Sequence, residues 1–294
     1  MIAIALRQKP GALLRITGED AFAYLQSQFS NDLRRDGGSD GAVTYGLWLD
    51  RKGRVRADSF LLQLDEESFL ALSHHCEAAA LAEHIQAHII ADDVEVEAVE
   101  GEVVSLFAPD EAGVPFTLPQ RGRFAQDASL GAVFHGRMVH GVRLECVRLD
   151  GPVQLPDTVE EVRAEDFEAA VYEGRGAAVP AECGQEGDLP QEAGLEVDAI
   201  SFTKGCYLGQ EVMARLQAMG QVRRKLVGLR GNGQPLEDGQ ALFAREREVG
   251  TVRSVHPQPE KAVVQARAMI KLAHLPASQR LSLQADSDAC IEVL

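Results

Sequence analysis

Ser201-Phe202-Thr203-Lys204-Gly205-Cys206-Tyr207-Leu208-Gly209-Gln210-Glu211 is the stretch on which the reading of this chain turns. Two glycines bracket a cysteine and a tyrosine, which predicts a tight backbone turn that side chains cannot enter. Gln210 to Leu216 are good helix formers and predict a short helix. Cys206 therefore stands just ahead of a helix start, with Lys204 two residues back, where positive potential favours a thiolate. Ser201 to Arg230 holds six Lys/Arg (204, 215, 223, 224, 225 and 230) against Glu211 alone, a local charge of +5. The whole chain is −16, so the remainder carries about −21. A basic island in an acidic protein suits a small anionic ligand.

Outward from this stretch, 294 residues suffice for a sizeable core and two or three domains. With 45% hydrophobic and 25% charged residues the composition is that of a soluble globular protein. No apolar run reaches the length of a membrane span, and Met1 to Arg7 is too short for a signal peptide. Five cysteines (76, 146, 183, 206 and 290) are scattered, with no Cys-x-x-Cys, which predicts neither a disulfide framework nor a zinc site and fits a reducing cytoplasm. The negative charge disfavours sequence-independent binding to nucleic acid, though a local RNA contact at the basic island stays open.

Upstream, Ala12–Ile16 reads as a strand. Thr17-Gly18-Glu19-Asp20 reads as a capping box, with Thr17 as N-cap, before a helix carrying Phe22, Leu25 and Phe29. Val43–Leu49 and Val55–Leu64 flank Asp50-Arg51-Lys52-Gly53 as a hairpin. Phe69–Leu72 is a strand, Glu77–Ile90 a helix with Leu81, Ile85 and Ile89 on one stripe, and Val94–Glu97 an alternating strand. Residues 108–137, rich in Pro and Gly, read as a connection. Val142–Leu149 is a strand, Ala164–Ala170 a short helix, and Gly174–Gln191 a long ordered loop. Downstream, Lys225–Arg230, Val249–Ser254, Ala262–Arg267, Leu281–Ala285 and Cys290–Val293 predict a small β-barrel. The fold class expected is α+β.

Signatures for nucleotide phosphates, a serine elbow or a zinc helix are absent. His84 and His88, four apart on a helix, read as a solvated face rather than metal ligands, and His74-His75-Cys76 as capping or packing. Asp58 alternates with Arg54 and Arg56, which puts all three on one face and reads as a surface ion pair.

Lys204-Gly205-Cys206-Tyr207-Leu208-Gly209-Gln210-Glu211 resembles the signature of the YgfZ family of folate-binding proteins, paralogues of the glycine-cleavage aminomethyltransferase (T-protein) that include a mitochondrial factor for maturing iron–sulfur proteins. Supporting matches are Ile16–Asp20, Leu25-Gln26, Asn31-Asp32, Asp50–Val55, Leu189–Glu192, Ile200–Phe202 and Gly250–Ser254. The resemblance implies two interleaved ferredoxin-like α+β portions over 1–224 and a carboxy-terminal barrel over 225–294, arranged as a ring about a hole that holds tetrahydrofolate. It implies iron–sulfur enzymes or their assembly factors as protein partners, including the enzyme that methylthiolates tRNA, with no stable nucleic-acid or membrane binding and no cluster ligands in this chain. Cys206, Lys204 and Asp58 are the residues it suggests for chemistry. Glu173, Phe167, Tyr207, Gln210, Glu211, Arg215 and Arg223 are those it suggests for folate, with Arg215 and Arg223 toward the glutamyl tail and Glu173 toward the pterin. Departures are Gly11 and Phe167, where some members carry tryptophan, and Ala57-Asp58, where T-protein has an aspartate pair. A folate-dependent one-carbon transferase using Asp58, and a tRNA-contacting module, are the competing readings.

Overall fold

The computed structural model describes residues 3–34, 41–138, 140–232, 235–258 and 263–294. Two compact units emerge from the packing. The first comprises Met1–Leu49, Arg56–Gly176 and Asp198–Leu208; the second Asp50–Val55, Ala177–Val197 and Gly209–Leu294. Among the described residues no helix is long and apolar enough to cross a membrane.

In chain order the first part runs β1 (Ile4–Gln8), β2 (Ala12–Thr17), α1 (Ala21–Gln28), β3 (Val43–Leu49), β4 (Val55–Gln63), β5 (Ser68–Ser73), α2 (Ala78–Gln86), β6 (Glu95–Ala98) and β7 (Glu102–Ala108). It continues through β8 (Ala125–Asp127), β9 (Gly131–His135), β10 (Val142–Arg148), β11 (Glu160–Glu161), α3 (Ala164–Val171) and α4 (Glu196–Ala199). Two sheets result, ordered β3-β4-β5-β2-β6 and β11-β1-β7-β10-β9-β8. Together with the helices they make the α+β fold that the alternation pattern predicts.

The core of the first sheet gathers Leu14, Ile16, Leu25, Phe29, Trp48, Leu61 and Phe69 with Leu81 and Ile85 of α2. Trp48 is fully buried, stacks at 5.0 Å on Phe29 and donates its indole N–H to Ser59 Oγ at 3.0 Å. Such a pair adds about 0.5–1.5 kcal/mol beyond its buried area.

Three local readings need correction. The capping box at Thr17 does not form: α1 starts after Asp20, whose side chain makes no cap. Gly18 takes φ +135°, where a Cβ would lie 1.9 Å from Asp93 O, and the Asp20 carboxylate instead accepts from the Asp93 N–H at 2.9 Å. The second helix ends at Gln86 rather than Ile90, because the Ile89 N–H closes a three-residue turn on Gln86 and Ile90 is 93% exposed. Residues 108–137 are more than a connection, since β8 and β9 lie there and β9 pairs with β10 from Leu144↔His135 to Val147↔Ala132.

The second unit carries α5 (Gln210–Met219), β12 (Arg224–Asn232), β13 (Ala241–Ala244), β14 (Arg247–Gln258), β15 (Val263–Lys271), β16 (Arg280–Leu281) and β17 (Ile291–Val293). Its sheet runs β13-β14-β15-β12-β17-β16, and Phe243 bridges Ser282 to join the two edges, closing the expected barrel. Ala262, expected to open one strand, lies outside the described residues. Leu229, Val249, Val252, Ala268, Ile270 and Ile291 fill the interior. The loop before α5 buries three acids against the barrel's arginines: Glu182 accepts from Arg267 at 3.1 Å, Asp188 from Arg224 at 3.0 Å, and Glu192 from Arg224 at 2.7 Å.

Candidate functional site

The signature segment is held down by the loop that follows α1. Lys204, nearly fully buried, donates its ammonium to Phe29 O at 2.7 Å and Asn31 O at 2.9 Å. Ser30 Oγ donates to Ala199 O at 2.6 Å, the Ser201 N–H to Ser30 O at 3.0 Å, and the Leu208 N–H to Ser27 O at 3.1 Å. Burial pushes the Lys204 ammonium down to about 8, against a smaller opposing pull from Asp32. The Tyr207 ring lies 5.2 Å from Lys204 Nζ, and its buried hydroxyl has no hydrogen-bond partner among the described residues. Burial pushes that phenol up to about 12. Between these two anchored side chains, Gly205 and Cys206 are exposed, and a Cβ on Gly205 would touch nothing within 4 Å.

Alongside this clamp the first unit encloses a cavity of about 490 Å³, within the range of small-molecule sites. Tyr45 of β3, Phe60 of β4 and Phe134 of β9 form a run of rings, with centroids 5.1 Å and 5.2 Å apart. The Arg137 guanidinium covers the Tyr45 ring at 4.2 Å and donates to Asp198 at 2.8 Å and 3.3 Å. Asn31 ties Asp198 to β3 by donating to Asp198 O and Tyr45 O. Beneath the rings, the Tyr45 hydroxyl donates to Asp58 at 2.8 Å and Ser73 Oγ donates to the other Asp58 oxygen at 3.0 Å. Burial first, then Asp58, drives the Tyr45 phenol well above its ordinary value, so it stays a donor. Arg121 is exposed on the lining and has no carboxylate partner among the described residues.

The sequence-based candidates fall into separate places. Asp58 supports the cavity through Tyr45, and Lys204 and Tyr207 make the clamp that displays Cys206. Phe167 is fully buried in a small cluster with Leu6 and Val171, touched by the cavity residue Met138. Glu173 is exposed after α3. Gln210, Glu211 and Arg215 belong to α5, and Arg223 to the approach to β12, all in the second unit. The basic island is thinner than its composition predicts. Arg224 is spent on Asp188 and Glu192, Arg230 pairs with Glu292 at 3.4 Å, and Lys204 is inside, leaving Arg215, Arg223 and Lys225 exposed. His84 meets the Trp48 ring edge-on at 6.3 Å, and no group of three metal-ligating side chains occurs among the described residues.

Tyr45, Phe60, Phe134, Arg121, Arg137 and Asp198 escaped the sequence reading. One signal was present: counting back equally from both ends of the Asp50–Gly53 turn puts Tyr45 across from Asp58.

Residues 11–108 match the family model of the GCVT N-terminal domain. The matched segment covers about a third of the chain. It spans β2 to β7 and so contributes Tyr45 and Phe60 to the cavity, with Asp58 holding the Tyr45 hydroxyl. The chain is 43% identical over 63 residues to the tRNA-modifying protein YgfZ of Colwellia psychrerythraea, a match covering 21% of this chain and 19% of that protein. It is 28% identical over 244 residues to the mitochondrial iron–sulfur cluster assembly factor IBA57 of Mus musculus, covering 76% and 64%. The matches thus span less than two thirds of each of these homologues. Beyond the matched segment, the whole fold follows that of the glycine cleavage aminomethyltransferase T of Bartonella henselae, with a TM-score of 0.76 at 18% identity over 99% of this chain and 85% of that one.

Proposed function

We propose that this protein binds a reduced folate and supports the assembly or repair of iron–sulfur enzymes, including those that modify tRNA, with Cys206 as its working thiol. The observation that carries the folate half is the cavity of the first unit. Its aromatic run suits the flat face of a pteridine, its volume admits the ring and benzoyl portion, and Arg121 offers a free cation for the glutamyl tail. The iron–sulfur half is supported by the relatives, whose names place them in cluster assembly and tRNA modification. Cys206 fits a thiol that meets a partner or passes through reversible oxidation, because it is exposed on a segment pinned on both sides. The expected protein clients are iron–sulfur enzymes or assembly factors, with the cytoplasm as the compartment.

Calorimetric titration with tetrahydrofolate and its 5-formyl and 5,10-methylene forms tests the first half. Saturable binding that Phe134→Ala and Arg121→Gln each weaken about tenfold is expected. Arg215→Gln and Arg223→Gln, tested beside them, show whether folate is bound by the cations of the signature stretch rather than by this cavity. Binding that none of the four changes would reject the site. Loss of methylthiolated tRNA in a Cys206→Ala strain, with folate binding intact, tests the second half.

One observation favours a second reading. Asp58 grips the hydroxyl of a cavity residue, which is where a one-carbon transferase would keep its acid–base group. Transfer of a one-carbon unit from an aminomethyl donor to tetrahydrofolate, abolished by Asp58→Asn, would establish it. A salt-sensitive shift of tRNA without folate would favour the binding-module reading.

A further inference from the structure

The barrel closes where β13 meets β16, and a second cavity of about 540 Å³ opens at that seam. Phe243 and Ser282 exchange both backbone hydrogen bonds at 2.9 Å. Two residues out from this pair, in the antiparallel sense, stand Arg245 and Arg280, and both line the cavity. Like charges set across an antiparallel pair repel one another. Neither guanidinium has an ion-pair partner among the described residues, although the chain carries a net charge of −16. This contrasts with Arg224, Arg253 and Arg267 of the same unit, each of which meets a buried acid. Two unneutralised cations kept together in one hollow mark a place for an anion.

The backbone supports the same conclusion. Four non-glycine residues of the described chain take positive φ, and two of them line this cavity: Arg245 at 56° and Asp286 at 55°. Such conformations are unfavourable for residues with a Cβ and gather at binding sites. The Asp286 N–H donates to Arg245 O at 3.2 Å, which brings a carboxylate to the cationic rim. Ser282 and Ser287 give their hydroxyl hydrogens to Gln284 O at 2.8 Å and 2.9 Å, so toward a ligand they act as acceptors. The lining therefore combines cations, acceptors and the ring of Phe243. A bare inorganic anion would satisfy only the first of these.

We propose that this seam binds a small organic phosphate, with its phosphomonoester between Arg245 and Arg280 and its hydroxyl or amino donors on Asp286, Ser282 and Ser287. The site lies within the second unit and shares no residue with the folate cavity, so it stands or falls separately.

Calorimetric titration of the full-length chain with ribose 5-phosphate and adenosine 5′-monophosphate, and inorganic phosphate as reference, tests it. Saturable binding of at least one organic phosphate is expected, weakened about tenfold or more by Arg245→Gln and by Arg280→Gln. Asp286→Asn should weaken the organic ligand and leave inorganic phosphate unchanged. All three side chains are exposed, so unchanged thermal midpoints should confirm that the variants fold. Absence of saturable binding up to about 10 mM overturns the proposal. So does binding that both arginine substitutions leave intact, or inorganic phosphate that binds as tightly as either organic probe.

Discussion

Glu145 and Lys204 are both buried charges of the first unit, and they are kept in opposite ways. Glu145 accepts from Ser105 Oγ at 2.6 Å and from Arg143 at 2.8 Å, and His74 Nε2 lies 3.2 Å away. Burial alone would raise its carboxyl, but Arg143 and then His74 and Ser105 outweigh that and hold it down at about 2. Lys204 gives its hydrogen bonds to carbonyl oxygens, and Asp32 pulls on it only weakly, so burial dominates and its ammonium falls to about 8. A lowered pKa thus means a charge firmly kept in the acid and one loosely kept in the base. A full counter-charge secures a buried ion, whereas dipoles alone hold its position while leaving its proton nearly free.

Removing Glu145 should have the largest effect. Glu145→Ala leaves the half-buried Arg143 without its carboxylate and should cost about 3 kcal/mol, read as a lowered urea midpoint. In the wild type the unfolded chain binds more protons at this site between pH 4.5 and about 2, so the stabilisation is full above 4.5 and fades as pH falls through that window. The corresponding loss should be missing from Glu145→Gln. A parallel acid limb in both proteins would show that the arginine and histidine do not secure this charge.

Lys204→Met comes next, removing the donor to Phe29 O and Asn31 O, at about 1–3 kcal/mol. Its pH signature runs the other way. Between about 8 and 10.5 the unfolded chain holds the lysine proton and the native chain has released it, so wild-type stability should rise with pH across that window relative to Lys204→Met. A flat difference between the two would mean that the carbonyls hold the ammonium as firmly as a carboxylate would. Smallest of all, Cys206→Ala should shift the urea midpoint by no more than about 0.5 kcal/mol, since the thiol is exposed. A larger shift would make Cys206 part of the clamp rather than its display.

Local features were legible in the sequence. The Asp50–Gly53 turn, with Gly53 at φ +70° and Asp50 Oδ1 accepting from the Lys52 and Arg54 N–H groups, follows from residue types within four positions. The helix starting at Gln210 and the strands of the barrel were readable for the same reason, and the signature stretch resembled that of proteins to which the chain is similar. Long-range pairing was hidden. β1 pairs with β7 from Ile4↔Phe107 to Gln8↔Val103, about a hundred residues on, and nothing local announces it. The cavity suffered most. Tyr45, Phe60 and Phe134 look like ordinary strand aromatics until two different sheets bring them together, and Arg137 lay in a stretch whose prolines and glycines suggested only a connection. The thinning of the basic island was equally invisible, because the acids that neutralise Arg224 arrive from a loop more than thirty residues earlier.

Trp48 is the one tryptophan of the chain, and it sits sealed in the core of the first unit. Its emission is therefore a native optical gauge of that unit alone, since the barrel contributes no indole. Comparing the fluorescence melt with the far-ultraviolet melt would show, without any label, whether the two halves of this molecule lose their structure in one step or in two.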